Sequence, residues 1–277
     1  MAPKDPDMHF NINPVALSIG SLEIRWYGLM YVVGFLIGWW LGRRRAVQYG
    51  WKDRDIDDFV VLGMLGCILG GRIGYVLFYD LPVYLRDPME ALRFWNGGMS
   101  FHGAAVGLAL TFFYFAKTRN CHFIDLADVA TPLIPPGLMF GRIGNFINGE
   151  LWGKVTDLPI GVVFPEGGPY PRHPSQLYEA ALEGLVLGIV LWIYSSKQRP
   201  RGNVAGLFAM GYSLARFVVE FVRVPDAQLG YLAFGWLTMG QVLCLPLFAV
   251  GAWLFFCDHP LPDGDVRTPK TSSEGLR

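Results

Sequence analysis

The sequence predicts an all-α integral membrane protein, a bundle of seven transmembrane helices with a small external head between spans four and five. Of its 277 residues, 52% are hydrophobic and only 17% are charged, whereas soluble domains carry about 25% charged residues. Apolar runs of about 18 to 21 residues, long enough to cross a hydrocarbon core of about 30 Å, recur along the chain. The formal net charge is zero, which argues against a nucleic-acid-binding protein, because such a protein needs a basic surface to neutralise phosphates. Membrane lipids are therefore expected partners, and nucleic acids are not.

The apolar runs give the positions of the predicted spans. An odd number of spans places the two ends of the chain on opposite sides of the membrane. Residues 1–257 are expected to form a single transmembrane domain, and the polar residues 258–277 a disordered tail. The predicted spans are 24–41, 59–78, 99–116, 126–146, 176–194, 204–222 and 236–256.

Glycine and proline modify this helical pattern. Glycines at four-residue spacing in spans two and three predict a close approach of helix backbones. Pro132, Pro135 and Pro136 in span four each remove a backbone donor, so this span is expected to be kinked or broken. The segment between spans four and five is rich in Pro and Gly, and we expect it to form the external head.

Basic residues predict the orientation of the bundle. Thirteen Lys and Arg residues flank one set of span ends, and seven flank the other set. Cytoplasmic loops carry the excess of Lys and Arg in membrane proteins. The N-terminus is therefore predicted to lie outside and the C-terminal tail in the cytoplasm.

Three arginines lie inside predicted spans. Arg72, Arg142 and Arg216 each occupy the outer half of a span that runs from inside to outside. An ionised side chain at bilayer depth costs roughly 2.5 to 3.5 kcal/mol and normally faces a partner, a cavity or a ligand. These arginines either neutralise nearby carboxylates in a structural network or form a binding site, and the residues alone leave both alternatives open. The carboxylates at the same level are Glu150, Glu179, Glu183 and Glu220.

The outer end of span six carries a row of polar side chains on one helix face. Tyr212, Arg216 and Glu220 follow one another at four-residue spacing, and Arg223 lies one turn further on. This row predicts a polar face that points into the bundle. The alternative is an intrahelical salt bridge between Arg216 and Glu220 without any ligand.

Two further side chains reach this level from the starts of other spans. His102 lies in GGMSFHG at the outer start of span three, and Tyr27 lies in RWYGLMY at the outer start of span one. A lone histidine at a span boundary is more often structural than catalytic. Because His102 is predicted beside arginines and carboxylates, it is a candidate base, and Tyr27 is a candidate hydrogen-bond donor.

The most polar stretch within an apolar region is residues 141–153, GRIGNFINGELWG. Guanidinium groups match phosphate oxygens bidentately and stay charged, so several arginines at the outer headgroup level indicate a phosphodiester, such as a phospholipid headgroup. Asn145 and Asn148 would form hydrogen bonds with glycerol hydroxyls, and Gly144 and Gly149 would let the backbone approach the ligand. The sequence contains no metal or nucleotide motif, so no metal or other cofactor is expected.

Six motifs follow one another in order along the chain. They are WYGLMY at 26–31, GGRIGY at 70–75, GGMSFHG at 97–103, GRIGNFINGELWG at 141–153, RHPSQLYE at 172–179 and GYSLARFVVEFVRVPD at 211–226. With these motifs the chain resembles the bacterial prolipoprotein diacylglyceryl transferases from about residue 14 to residue 256. The resemblance implies one catalytic domain in the bacterial inner membrane, with its active site toward the periplasmic leaflet.

The resemblance also implies a reaction. The diacylglyceryl group of phosphatidylglycerol would move to the lipobox cysteine thiol of a preprolipoprotein, forming a thioether and releasing glycerol phosphate, as the first step of lipoprotein maturation. The family's phosphatidylglycerol-binding arginine falls on Arg142, and its essential histidine and second key arginine fall on His102 and Arg216. The candidate substrate-binding set, from the motifs and the residue arguments together, is Tyr27, Arg72, Arg142, Asn145, Asn148, Glu150, Gly153, Tyr212, Glu220 and Arg223.

The expected mechanism assigns charge stabilisation to Arg142 and Arg216, which would hold the phosphate. His102 would assist deprotonation of the incoming cysteine, whose sulfur attacks the glyceryl carbon bonded to the phosphate ester oxygen. The identity of the base stays open in the sequence, because Glu150 or Glu220 are alternatives and arginines alone lower the pKa of a nearby thiol.

Two other functions are alternatives. A phospholipid headgroup phosphatase or transferase would attack phosphorus, which usually requires a metal or a second histidine beside the nucleophile. A lipid transporter would also bury charges within broken helices. Here the predicted charges crowd one leaflet rather than the midplane, and no inverted repeat is evident in the sequence.

Overall fold

The computed structural model describes residues 10, 12–20, 22–46, 48, 50–78, 81–93, 98–225 and 230–260. Within this part of the chain the fold is mostly helical, as the sequence predicts. Residues 261–277, which make up most of the predicted tail, lie outside the described residues.

Ten α-helices and one hairpin account for the regular structure of the described residues. The strands β1 (Val15–Ile19) and β2 (Leu22–Arg25) pair antiparallel immediately before the first helix. Two 3₁₀ segments, Pro88–Leu92 and Thr131–Leu133, and one π-helical segment, Ala180–Val186, complete the helical parts. The α-helices are α1 (Trp26–Ala46), α2 (Asp53–Phe78), α3 (Leu81–Arg86), α4 (Phe101–Thr118), α5 (Phe123–Ala130), α6 (Ile134–Ile147), α7 (Ser175–Glu179), α8 (Leu187–Tyr194), α9 (Asn203–Val219) and α10 (Met239–Phe256).

Helical segments overlap all seven predicted spans in the described part of the chain. Some are single helices, and others are formed by consecutive helices that follow one another directly. The protein is therefore a mostly helical, multi-pass membrane protein. The segments that are long and apolar enough to cross a membrane, by length and composition, are Asp53–Phe78, Phe123–Ile147, Ser175–Tyr194 and Met239–Phe256.

The described residues divide into two compact units. Unit 1 contains the chain up to Trp40 together with residues 127–260, and unit 2 contains residues 41–126. Unit 1 therefore holds the polar motif of residues 141–153 and the polar end of α9, while unit 2 holds α2 and α4.

A glycine seam joins α2 to α4 in unit 2. A Cβ atom added at Gly74 would lie 2.7 Å from the Cα of Gly103, and one added at Gly70 would lie 2.8 Å from the Cα of Gly107. Real Cβ atoms do not approach other atoms so closely, so only glycine allows this packing. The close approach predicted from the four-residue glycine spacing is confirmed.

The predicted break in span four is confirmed. α5 ends at Ala130 near the start of the span, the 3₁₀ segment Thr131–Leu133 contains Pro132, and α6 starts immediately afterwards at Ile134. Pro135 and Pro136 lie in the first turn of α6, where a missing backbone N–H leaves no helical hydrogen bond unmade. The prolines therefore divide the span without disturbing the part of α6 that carries the polar motif.

Close backbone contacts also assemble unit 1. A Cβ added at Gly34 of α1 would lie 2.9 Å from the Cα of Gly137 in α6, and one added at Gly206 of α9 would lie 2.6 Å from the carbonyl oxygen of Gly251 in α10. Leu187 of α8 packs with the first turn of α9 in a buried apolar cluster. These contacts join α1 to α6, α8 to α9 and α9 to α10.

Candidate active site

The polar motif of residues 141–153 ends α6 and leads into residues 148–174, which connect α6 to α7 and which we call the head segment. Gly149 and Leu151 both adopt left-handed backbone angles, with φ of +67° and +61°. Glycine adopts this conformation without strain, whereas for leucine it is uncommon. The leucine is held by its carbonyl oxygen, which accepts a hydrogen bond from Ser175 Oγ at 3.0 Å. The turn is therefore tied to the start of α7.

Glu150 is the hydrogen-bonding centre of this turn. Its Oε1 accepts from Asn145 Nδ2 at 2.8 Å and from Asn148 Nδ2 at 3.2 Å, and its backbone carbonyl accepts from Gln176 Nε2. Asn148 Oδ1 is buried without a hydrogen-bond partner among the described residues. Three of the predicted site residues thus lie together, and an unused acceptor lies among them.

Tyr27 packs onto the same helix end from α1. A Cβ added at Gly144 would lie 2.9 Å from Cδ2 of Tyr27, so the glycine in the motif makes room for the aromatic ring. The Tyr27 hydroxyl lies 3.1 Å from the hydroxyl of Tyr31 and also interacts with the side chain of Asn145. The phenol therefore belongs to the same polar group as the asparagines.

Glu179, at the end of α7, collects three arginines. Its Oε2 lies 2.7 Å from Arg142 Nε, and its Oε1 pairs with Nη1 of Arg216 and, at 3.3 Å, with Nη1 of Arg223. The carboxylate side chain is 2% exposed, and the arginine side chains are 11 to 20% exposed. Three guanidinium groups from three parts of unit 1 therefore surround one buried anion.

Glu220, directly after α9, provides the second carboxylate of this cluster. Its Oε2 lies 3.1 Å from Arg216 Nη2, and its Oε1 accepts from Thr238 Oγ1 at 3.0 Å. Thr238 is the N-cap of α10 and forms a capping box with Gln241, which fixes the hydroxyl that holds Glu220. We call Arg142, Glu179, Arg216, Glu220 and Arg223 the arginine cluster.

The arginine cluster forms the structural network that was one of the two alternatives left open by the sequence. The intrahelical pair of Arg216 with Glu220 forms, and so do ion pairs between helices. Each guanidinium has five N–H donors, more than one carboxylate can accept. The structural network is therefore present, and an anion site among the same residues stays a prediction.

Gly153 lies where two backbone segments meet at the end of the motif. Its N–H donates to the carbonyl of His173 at 2.8 Å, and it forms an antiparallel bridge with Arg223. A Cβ added at Gly153 would lie 2.6 Å from the carbonyl oxygen of Val222. Burial lowers the pKa of the His173 imidazole, which favours its neutral form. Gly153 thus positions the backbone of Arg223 beside the head segment.

Tyr212 lies one turn before Arg216 on α9. Its ring stacks on Phe208 with centroids 6.1 Å apart and packs against the buried apolar cluster that includes Leu187. It lies one helical turn from Arg216 and borders the arginine cluster from its apolar side.

Arg72 and His102 belong to unit 2. The buried Arg72 guanidinium donates to the backbone carbonyls of Glu90, Ala91 and Gly98 at 2.6, 2.9 and 3.1 Å. Because its donors are used by backbone carbonyls, Arg72 is better placed to order the chain before α4 than to contact a phosphate directly. His102 is exposed in the first turn of α4.

Sequence reasoning placed Glu179 only among several carboxylates and missed its position at the centre of the site. The available signal was a pair of glutamates four residues apart, Glu179 and Glu183, in an otherwise apolar run. Thr238 was missed as well, although Thr238 and Gln241 have the spacing of a capping box at the start of an apolar helix. Among the described residues, no group of three or more His, Cys, Asp or Glu side chains is arranged to hold a metal ion.

Comparisons with known proteins identify the family of the chain. Residues 14–257 match the family model described as prolipoprotein diacylglyceryl transferase. A phosphatidylglycerol–prolipoprotein diacylglyceryl transferase of Nitratidesulfovibrio vulgaris (strain DP4) is 60% identical over 93% of this chain and 97% of its own length. An enzyme of the same name from Azotobacter vinelandii is 56% identical over 87% of this chain and 92% of its own length. Another from Pseudomonas aeruginosa (strain LESB58) is 55% identical over 91% of this chain and 97% of its own length. The chain belongs to the prolipoprotein diacylglyceryl transferase family.

Proposed function

We propose that this protein transfers the diacylglyceryl group of phosphatidylglycerol to a cysteine thiol of prolipoproteins, the activity for which its relatives are named. The observation that carries the proposal is the arginine cluster, in which three guanidinium groups converge on Glu179. A phosphodiester is the anion that suits such a group in a membrane protein, because guanidinium forks match its oxygens and stay charged.

The membrane arrangement forms part of the proposal. All seven predicted spans cross the bacterial inner membrane, the N-terminus is periplasmic, and residues 258–277 form a cytoplasmic tail. Residues 1–257 then act as a single catalytic domain, and the segment between α6 and α7 is the external head. The excess of Lys and Arg on one set of span ends supports this orientation, which places the arginine cluster toward the periplasmic leaflet.

Two groups of residues bind different parts of the lipid headgroup. Arg142 and Arg216, assisted by Arg223, bind the phosphate and stabilise the charge that develops as it departs. Asn145 and Asn148, held by Glu150, bind the hydroxyls of the glycerol headgroup. The Oδ1 of Asn148 supports this role, because it is a buried acceptor without a hydrogen-bond partner among the described residues.

Other candidate residues shape the site. Tyr27 donates its phenolic hydrogen toward the headgroup, Tyr212 forms the apolar wall, and Gly153 keeps the backbone of Arg223 in place. Glu220 orients Arg216. Arg72 orders the chain that precedes His102, so its contribution to substrate binding is indirect.

The reaction is a substitution at carbon. The lipobox cysteine loses its thiol proton to a base, for which His102 is the candidate, and its sulfur forms a bond to the glyceryl carbon. The bond between that carbon and the phosphate ester oxygen breaks, and its electron pair leaves with glycerol phosphate. Atoms and charge balance without any change of oxidation state.

The direct test uses purified protein, phosphatidylglycerol and a synthetic peptide with a lipobox cysteine. Mass spectrometry of the products should detect a thioether-linked lipopeptide and an equal amount of glycerol phosphate. A peptide with serine in place of cysteine controls for the acceptor. Arg43→Gln, which alters an arginine paired with Asp57 in unit 2, is the matched control for Arg142→Gln and Arg216→Gln. Release of glycerol phosphate without the lipopeptide would contradict the proposal.

A further inference from the structure

Glu183 is a buried carboxyl group that the proposed mechanism does not use. Its side chain is completely buried, and neither of its oxygens has a hydrogen-bond partner among the described residues. It lies in the middle of the π-helical segment Ala180–Val186, four residues after Glu179. Short π-helical segments are rare and occur mostly at functional sites.

The π-helical segment is fixed against the helix that carries Arg142. A Cβ added at Gly184 would lie 2.7 Å from the Cα of Met139 and 3.0 Å from its backbone nitrogen. Met139 precedes Arg142 by three residues, which is about one turn of α6. Glu183 is therefore held beside the arginine cluster by backbone packing, rather than by its own side chain.

Charged and titratable groups from several elements lie close enough to Glu183 to interact with it electrostatically. The guanidinium groups among them already form ion pairs with Glu179 or Glu220, whereas Glu183 makes no ion pair with a described residue. The facing groups are Glu179 on its own helix, Arg142 on α6, Tyr212 and Arg216 on α9, Arg223 after α9, and Cys244 on α10.

Burial without hydrogen bonds disfavours an ionised carboxylate at this position. A carboxylate removed from water needs a partner or hydrogen bonds to remain charged, whereas a neutral carboxyl costs much less to bury. The nearby carboxylate of Glu179 has the same sign of charge at four-residue spacing, which adds repulsion. The three arginines favour the ionised form, but each of them is already paired with Glu179 or Glu220. The neutral form is therefore consistent with the burial of Glu183 and its lack of hydrogen bonds.

We propose that Glu183 is a protonated, neutral carboxyl that keeps the arginine cluster at one net positive charge and so selects a singly charged phosphodiester. Three guanidinium groups opposite the carboxylates of Glu179 and Glu220 leave one positive charge. Ionised Glu183 would cancel that charge. The inference rests on the proposed function, because the phosphodiester substrate comes from it.

The first test measures binding of phosphatidylglycerol to the full-length protein in detergent as a function of pH, without any acceptor peptide. In the wild type the Kd should rise about tenfold per pH unit once Glu183 ionises, because each unit changes the protonated fraction tenfold. In Glu183→Gln, whose side chain stays neutral, this rise should disappear. Curves of the same shape for both proteins would overturn the proposal.

Infrared difference spectroscopy tests the protonation state without any lipid. At neutral pH the wild type should show the C=O stretch of a protonated carboxyl that is missing in Glu183→Gln. If the difference spectrum instead shows loss of carboxylate bands, Glu183 is ionised and the proposal fails. This readout does not depend on transferase activity, so it separates failure of the inference from failure of the proposed function.

A second variant covers the case in which glutamine cannot be accommodated. A neutral carboxyl without partners has no hydrogen bond to lose, so Glu183→Leu should keep or raise the Tm. Glu179→Leu should lower the Tm, because it leaves three guanidinium groups without their shared anion. A Tm for Glu183→Leu that falls as far as that of Glu179→Leu would show that Glu183 is an ionised member of the cluster.

Discussion

Oε2 of Glu179 lies 2.7 Å from Nε of Arg142, and this contact joins the helix that enters the head segment to the helix that leaves it. The same carboxylate pairs with Arg216 and Arg223, which belong to the end of α9 and the residues after it. One buried anion thereby sets the positions of three cations from separate parts of the chain.

Glu179→Gln should lower both stability and activity. The amide removes the negative charge but keeps the shape, and breaking a buried ion pair on one side costs about 3 kcal/mol. We expect a lower Tm and at least a tenfold loss of transfer activity, measured by thermal unfolding and by the lipopeptide assay. Glu90→Gln, which alters an exposed pair with Arg93, is the control and should change the Tm very little. A Glu179→Gln enzyme with wild-type Tm would contradict this role.

Gly153→Ala should weaken the enzyme through backbone displacement. The added methyl group would lie 2.6 Å from the carbonyl oxygen of Val222 and 2.7 Å from Cβ of His173, and relieving such overlap costs about 1 to 3 kcal/mol. The bridge to Arg223 should shift, so KM for phosphatidylglycerol should increase.

Gly137→Ala is the matched control for this substitution. A Cβ at Gly137 meets nothing within 4 Å, and alanine is favoured over glycine within a helix. Steady-state kinetics should give a wild-type KM for this variant. Equal effects of both substitutions would show that the contacts of Gly153 do not matter.

Arg72→Lys should loosen the chain that precedes α4. One ammonium group cannot reproduce the planar donors that reach the carbonyls of Glu90, Ala91 and Gly98. We expect faster backbone hydrogen exchange in residues 90–93 and 98–100, measured by mass spectrometry, and a lower kcat. The control is Arg86→Lys at an exposed position, and it should leave hydrogen exchange in these residues unchanged. Unaltered exchange in Arg72→Lys would indicate that the guanidinium acts elsewhere.

Cysteine labelling should report the proposed orientation. Cys257 is exposed and is expected on the cytoplasmic side, so a membrane-impermeant maleimide should label it in inverted vesicles but not in intact cells. Cys257→Ser should remove this labelling. Efficient labelling of Cys257 from the periplasmic side would reverse the orientation.

Cys121 should stay unlabelled in the same experiment. It is buried, and burial together with the nearby Asp125 carboxylate raises the pKa of its thiol to about 11. Because the thiolate is the reactive form, the thiolate fraction at pH 7 to 9 is small and increases only as the pH approaches that value. Rapid labelling of Cys121 at pH 7 would contradict the burial of this side chain.

Much of the local architecture could be predicted from sequence, because it depends on short-range chemistry. Three prolines indicate the break before α6, and four-residue glycine spacing indicates the contact of α2 with α4. Arg216 and Glu220 lie four residues apart on one helix, so their ion pair follows from helix geometry. These features need no knowledge of which helices are neighbours.

The centre of the site could not be predicted in the same way. The pairing of Glu179 with Arg142 and Arg223 depends on how α6, α7 and α9 pack, which no local pattern specifies. Arg72 illustrates the same limit, because its position within a span suggested a ligand, whereas its donors meet carbonyls of a segment about twenty residues away. Side-chain type indicates that a charge needs a partner, and only the packing determines which partner it has.

The central claim is that Arg142 and Arg216 bind the phosphate of phosphatidylglycerol. The most direct test is competition for a fluorescent phosphatidylglycerol bound to the purified protein, with unlabelled phosphatidylglycerol or diacylglycerol as competitor. The account predicts that phosphatidylglycerol competes at least tenfold better than diacylglycerol with the wild type, and that Arg142→Gln and Arg216→Gln both abolish this preference. Equal competition by the two lipids, or a preference that persists in both variants, would contradict it.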